Sequence, residues 1–197
     1  MSALEQFKHL LREGEVYRRA DLEKWSSAVD RHLRQLQEEG VLVKLSGGMY
    51  YRPKMTAFGV APADDETLVE AFLKDRRFLL TSPNLYNALG LGMTQLYNET
   101  VVYNHKRHGQ FKLGGRTFRF AMKPHFPSKL TPEFLLVDVV NNLDQLAEDR
   151  VQVLKQVQHK ALSMEKRSLA KAVREYGGAR ARKFFSKALS EDTLQYA

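Results

Sequence analysis

Residues 20–52, ADLEKWSSAVDRHLRQLQEEGVLVKLSGGMYYR, decide the fold, because the apolar period changes once within them. Across Ser27–Glu39 the residues Val29, Leu33 and Leu36 recur at helical spacing. Beyond Gly40 two extended runs, VLVKL and MYYR, flank the turn Ser46-Gly47-Gly48. Ser26 can cap this helix and Gly40 can end it. A shorter helix over Ala20–Trp25 offers Leu22 and Trp25 as the opposing core. Upstream, Ala3–Arg12 carries Leu4, Phe7, Leu10 and Leu11 on one helical face and stops at Glu13–Gly14, while Glu15–Arg18 is too short to classify. Two short helices, a longer third and a hairpin closed by Pro53 follow the order of a winged helix-turn-helix. Residues 1–54 are read as that domain.

In such a fold the third helix enters the DNA major groove and reads base edges. Its outer face here carries Ser27, Arg31, Arg34 and Glu38, with Gln35 beside them. Arg31 and Arg34 are long enough to donate paired hydrogen bonds to guanine or to clamp a phosphate. Lys44, Arg52 and Lys54 on the wing, and Arg18 and Arg19 before the second helix, are placed to neutralise backbone phosphates. The net charge of residues 1–54 is only +2. That keeps open a winged helix acting as scaffold for a protein contact.

Residues 55–64, MTAFGVAPAD, show no sustained period and read as a linker. Residues 65–197 read as an α+β domain with a small, mainly antiparallel sheet, helices and a helical C-terminal tail. Asp65–Asp75 is an amphipathic helix with acidic residues at its start, and RFLLTS is a short strand. Ser82 caps a helix over PNLYNALGL. ETVVYN, GQFKLGG and RTFRFAMK are strands, the last two joined at Gly114–Gly115. Thr131 caps a helix expected to reach about Asp149. Its apolar stripe is Leu135, Leu136, Val139, Val140, Leu143 and Leu146, and its polar face is Asp138, Asn141, Asp144 and Glu148.

The 197 residues suffice for one large domain or two modest ones, and 43% hydrophobic with 27% charged residues is ordinary globular composition. The absence of cysteine excludes a disulfide framework, a thiolate metal site and a cysteine nucleophile. No apolar run reaches the length of a membrane span and the N-terminus has no apolar leader, so a reducing, cytoplasmic setting is expected, with no membrane partner. The formal net charge is +8. Residues 150–187 alone hold eleven basic and two acidic side chains, with Arg174, Arg180, Arg182 and Lys183 around Tyr176-Gly177-Gly178. This tail is a candidate contact for a polyanion, or a solvated helical face.

The wing VLVKLSGGMYYRPK, the blocks SPNLYNALGLGMTQLYNETVVYN and FKLGGRTFRF, and the tail EYGGARARKFFSKAL together resemble the AbiEi-type antitoxins of type IV toxin–antitoxin systems. The resemblance covers about residues 5–190, and only the NALGL and GGRTFRF blocks in it are distinctive. It implies a DNA-binding N-terminal domain that represses the antitoxin–toxin operon. It also implies a C-terminal domain that counters a nucleotidyltransferase-type toxin without a stable complex.

No pattern of catalysis competes with this reading. His105 and His108 flank Lys106 and Arg107, two cations that would repel a metal. Asp64-Asp65-Glu66 suits a helix start better than paired catalytic carboxylates. The glycine pairs lack the strand-to-helix spacing of a phosphate loop, and no nucleophile elbow is present. Tyr50, Tyr51, Tyr86, Tyr97 and Tyr103 could stack on bases, but strand-packed core is the simpler assignment. The sequence is therefore read as a transcriptional repressor without enzymatic activity, metal or cofactor, acting on its own operator, where it could bind as a homodimer. The alternatives are a protein-interaction module and a nonspecific RNA-binding protein.

Overall fold

A computed structural model describes residues 2–191. Its contacts gather into two compact units that alternate along the chain, 1–78 with 106–120 and 79–105 with 121–197. The class is α+β, with small antiparallel sheets and several helices.

The first unit begins with α1 (Ala3–Leu10), β1 (Val16–Arg18), α2 (Arg19–Leu22), α3 (Val29–Glu38), β2 (Val43–Ser46) and β3 (Met49–Tyr51). The strands form one sheet in the order β1-β3-β2. Val16, Tyr17 and Arg18 lie opposite Tyr51, Tyr50 and Met49, so the unclassified segment before α2 is a strand. Only its partner makes it one, and that partner is over thirty residues away. Phe7, Leu11, Leu22, Val29, Leu33, Leu36 and Leu42 form the core with Tyr17 and Tyr50. Trp25 does not join this core. The second helix stops at Leu22, and Trp25 sits on the following turn, 42% exposed and edge-on to Tyr17. Helix α3 starts two residues later than its sequence suggests. Ser26 Oγ accepts from Ala28 N at 3.1 Å and bonds His32 Nδ1 at 2.9 Å, so it holds the turn ahead of the helix.

Residues 55–64 do not form a linker. β4 (Lys54–Thr56) and β5 (Gly59–Ala61) pair as an antiparallel hairpin, anchored where Tyr51 Oη donates to Ala61 O at 2.8 Å. Met55, Phe58 and Val60 are all exposed, so no buried face imposes a period on the sequence. Asp64 then caps α4 (Asp65–Leu73), accepting from Thr67 N at 2.7 Å. The proposed boundary at 54–65 thus lies inside the first unit.

The chain next supplies the second unit with β6 (Phe78–Thr81), a 3-10 helix capped by Ser82 (Pro83–Leu89) and β7 (Thr100–Asn104). It returns to the first unit as the hairpin β8 (Gly109–Leu113) and β9 (Arg116–Met122), with Phe111 opposite Phe118. The rings of Phe72, Phe111 and Phe120 meet at centroid distances of 4.9 to 5.4 Å. At the hairpin turn Gly114 has φ +56, and its N–H donates to Leu45 O at 3.3 Å. A Cβ there would meet Leu68 at 3.4 Å and Leu45 at 3.5 Å, so this turn is fitted to glycine twice over.

The second unit is completed by α5 (Pro132–Asn141), a 3-10 turn (Leu143–Gln145), α6 (Arg150–Leu162), α7 (Lys166–Tyr176) and α8 (Ala179–Glu191). Residues 192–197 of the C-terminal assignment lie outside the described residues. Helix α5 packs against the 3-10 helix, α6, α7 and α8, and every residue from Phe134 to Val140 is buried. It ends at Asn141 rather than near Asp149. Asp149 instead caps α6, accepting from Gln152 N at 2.7 Å.

The expected polar face of α5 is absent for the same reason. Asp138 is 1% exposed, and its carboxylate accepts the hydroxyls of Tyr86 at 2.8 Å and Tyr103 at 2.8 and 2.9 Å. Asn142 Nδ2 donates to both hydroxyls, at 3.1 and 2.8 Å, and Lys123 Nζ lies 4.0 Å from the carboxylate. Burial pushes the Asp138 carboxyl above its ordinary value, against the pull of Lys123 and the tyrosine hydroxyls. Tyr86 is held well above its usual range, chiefly by burial and then by this carboxylate. Tyr50, Tyr51, Tyr86 and Tyr103 are core residues, while Tyr97 is half-buried and its Oη accepts from Ala147 N at 2.8 Å. Among the described residues no helix is long and apolar enough to cross a membrane.

Candidate nucleic-acid interface

The burial of Val29, His32, Leu33 and Leu36 fixes the roll of α3, because these positions face the core of the first unit. The opposite face follows from helical geometry. Ser27, Arg31, Arg34, Gln35 and Glu38 are all exposed. Ser27 and Arg31 line a depression of about 360 Å³ with Arg19, Glu23 and Asp30 at the start of α3. Arg31 and Arg34 form no hydrogen bond or ion pair with the described residues, while Gln35 Nε2 donates to Glu39 Oε1 at 3.2 Å.

The other predicted contacts divide by what their charges already do. Lys44 and Lys54 are exposed, each on its own strand. Arg19 faces Asp30 through two hydrogen bonds of 2.6 Å and also pairs with Glu23. Its hydrogen bonds to Asp30 hold that carboxyl below the usual range. Arg18 Nε donates to Asp21 at 2.5 Å, and Arg18 lines a different cleft of the same unit with Asp21, Thr67, Glu70 and Lys74.

Arg52 is committed elsewhere. Its guanidinium donates to Lys8 O at 3.0 Å and Leu11 O at 2.5 Å, closing the C-terminal end of α1, and Glu13 lies 3.8 Å away. This side chain ties β3 to α1 rather than reaching outward. Replacing Arg52 by Ala removes charge-assisted bonds to carbonyls that are partly shielded from water, at a cost of about 1–3 kcal/mol. Urea unfolding is expected to show a lower midpoint for Arg52→Ala. An unchanged midpoint would return Arg52 to the list of free phosphate contacts.

Sequence reasoning missed two parts of this surface. The strand β1 beside the β2–β3 hairpin has no local signal, being three residues long. The β8–β9 turn against Leu45 comes from residues about seventy positions away, and only the paired glycines mark it as a close approach.

The tail residues are distributed across α7 and α8. Arg180 pairs with Asp144, which also lies 2.9 Å from Arg150, and the bond from Arg180 holds the Asp144 carboxyl low. Of the other acids expected on the polar face of α5, Asp138 is internal and Glu148 accepts the backbone N–H groups of Thr94 and Gln95 at 2.9 Å. Arg182 donates to Arg174 O at 3.0 Å, and Arg174 and Lys183 are exposed. Asn141 clasps the turn between the two helices. Its amide donates to Tyr176 O at 2.9 Å and its carbonyl accepts from Gly178 N at 2.8 Å. Of the pair His105 and His108, His105 stacks on Phe126 with ring centroids 4.7 Å apart. Among the described residues no group of three or more His, Asp or Glu could hold a metal.

No curated protein and no solved structure matches this chain. Nothing in the comparisons bears on the antitoxin resemblance. The model of DUF6088, a family of unknown function, matches residues 8–174, which take in α3, the hairpins β2–β3 and β8–β9, and α5 through most of α7. The chain belongs to the DUF6088 family.

Proposed function

We propose that this protein binds double-stranded DNA sequence-specifically through a winged helix-turn-helix formed by α1 to β3, and represses transcription of its own operon. The carrying observation is α3, which buries one face completely and presents Ser27, Arg31, Arg34 and Gln35 on the other, with both arginines uncommitted among the described residues. The element order α1-β1-α2-α3-β2-β3 with sheet order β1-β3-β2 supports it, since a third helix followed by a hairpin is the arrangement that places a recognition helix beside a wing. Arg31 and Arg34 read bases. Lys44 and Lys54 meet phosphates, and Arg19 joins them only by exchanging its carboxylate partners for DNA. Footprinting of the purified protein on its own upstream region tests this reading. A protected site there, absent from random DNA at the same salt, is the expected result.

The wing carries its own prediction. Lys44→Ala should weaken binding to all DNA sequences alike and reduce the slope of log K against log salt by about 0.9, the loss of one phosphate contact. A loss confined to the cognate site would mean that the wing reads bases.

The antitoxin role rests on the family resemblance and on the tail. Changing Arg180, Arg182 and Lys183 together to Ala is expected to leave operator binding nearly intact while abolishing protection of cells against a nucleotidyltransferase toxin encoded beside it. Arg180 and Asp144 are exposed, so little stability should be lost with their pair. Full protection by the folded triple variant would leave the tail a solvated helical face.

A further inference from the structure

The second unit holds a cleft of about 530 Å³ lined by none of the residues proposed for DNA reading. His105 from the end of β7, His125 and Phe126 from the segment after β9, Arg174 and Tyr176 from the end of α7, and Arg182 from α8 form its walls. That volume lies within the range of small-ligand sites, about 300–1,000 Å³. Its lining brings two guanidinium and two imidazole groups against one carboxylate, Glu175. Neither Arg174 nor Arg182 pairs with a carboxylate among the described residues, unlike Arg180 two residues before Arg182.

The cationic wall is also positioned in advance. Arg182 donates through one Nη to Arg174 O at 3.0 Å, which tethers the guanidinium at the end of α7 and leaves its remaining N–H groups to a ligand. Its stem passes close over Gly177. A Cβ there would lie 3.2 Å from Arg182 Cγ and 2.4 Å from Val173 O, so any side chain at 177 would disturb the backbone and this arginine. Tyr176 is fixed by its edge-on contact with Phe134 at 5.3 Å and by the bond from Asn141 to its carbonyl. Also on the lining, His105 and Phe126 stack nearly parallel, with 26° between their planes, and Phe126 is half-buried.

Two guanidinium groups, that of Arg182 tethered, match the oxygens of a phosphate, and a flat aromatic pair matches the face of a base. We propose that this cleft binds a nucleotide, with its phosphate on Arg174 and Arg182 and its base against the His105–Phe126 pair. The same chemistry is offered by a free nucleotide and by the phosphorylated end of an RNA strand. The proposal is independent of DNA reading by α3.

The test uses the full chain in calorimetric titrations with AMP, CMP, GMP, UMP, the four nucleosides, inorganic phosphate, an RNA hexamer with a terminal phosphate and a hexaglutamate peptide. At least one monophosphate is expected to bind with a Kd of about 1 mM or tighter, and its nucleoside about tenfold more weakly. Arg174→Ala and Arg182→Ala should each weaken nucleotide binding about tenfold, through loss of charge-assisted bonds. Phe126→Ala should weaken nucleotide binding about tenfold while leaving inorganic phosphate unaffected. An RNA hexamer binding at least about tenfold tighter than any mononucleotide would identify the RNA end as the source, and equal affinity the free nucleotide. Should Arg182→Ala melt early, Arg174→Ala, whose side chain is exposed, decides the case. Absence of binding by every monophosphate and by the RNA, unchanged affinity in folded Arg174→Ala, or tighter binding of hexaglutamate than of any nucleotide would overturn the proposal.

Discussion

Changing Arg31 and Arg34 together to Ala is expected to lower operator affinity by about 2–6 kcal/mol, the sum of two base contacts worth about 1–3 kcal/mol each. The fold should survive, since both side chains point away from Val29, Leu33 and Leu36 and neither is held by a described neighbour. The loss should be larger on the cognate operator than on scrambled DNA, which separates base reading from phosphate attraction. Titrations at one fixed salt concentration, with circular dichroism to verify folding, supply the measurement. Wild-type affinity in the double variant would show that α3 is not the reading helix, whatever else binds DNA.

The second large effect is on stability. Asp138→Ala should destabilise the second unit by about 3–5 kcal/mol, because it strands the hydroxyls of Tyr86 and Tyr103 and removes the partner of Lys123 inside a packed core. Asp138→Asn should cost far less near neutral pH, since it keeps an acceptor for the hydroxyls and gives up a charge that burial disfavours. The sign of the pH dependence follows from the raised carboxyl. The unfolded carboxyl titrates near 3.9, and the folded one above it. The stabilisation from proton uptake is fully present below the unfolded value and is lost as pH rises through the folded one. Wild type should therefore gain relative to Asp138→Asn on acidification towards pH 4, as read by urea unfolding across the range. A difference independent of pH would show that the carboxyl titrates normally.

Helix α3 and the β2–β3 hairpin were legible in the sequence because their signals are local: one apolar face every three or four residues, then a Ser-Gly-Gly turn. The strands ETVVYN, GQFKL and RTFRFAM and the caps Ser82, Asp64 and Thr131 were legible for the same reason. The exposed face of α3 followed from its buried one. Which of the predicted cations remain uncommitted did not follow, because the partners of Arg19 and Arg52 lie eleven and over forty residues away.

By itself, then, the sequence determined α3 and the β2–β3 hairpin, the strands β7 to β9, the faces of α3 and the concentration of charge in residues 150–187, since period, caps and charge counts are properties of neighbouring residues. Tertiary structure decided the rest. It turned residues 16–18 into a strand by giving them β3 as partner, made 54–61 a hairpin, and sent 106–120 back to the first unit. It drew Asp138 inward, because a helix packed on several sides has no solvent face left, and a polar residue there must find its hydrogen bonds in the core. It also gathered His105, Phe126, Arg174 and Arg182 around one cleft from four separate stretches of chain. Such a convergence depends on how distant segments pack, and no local period records it.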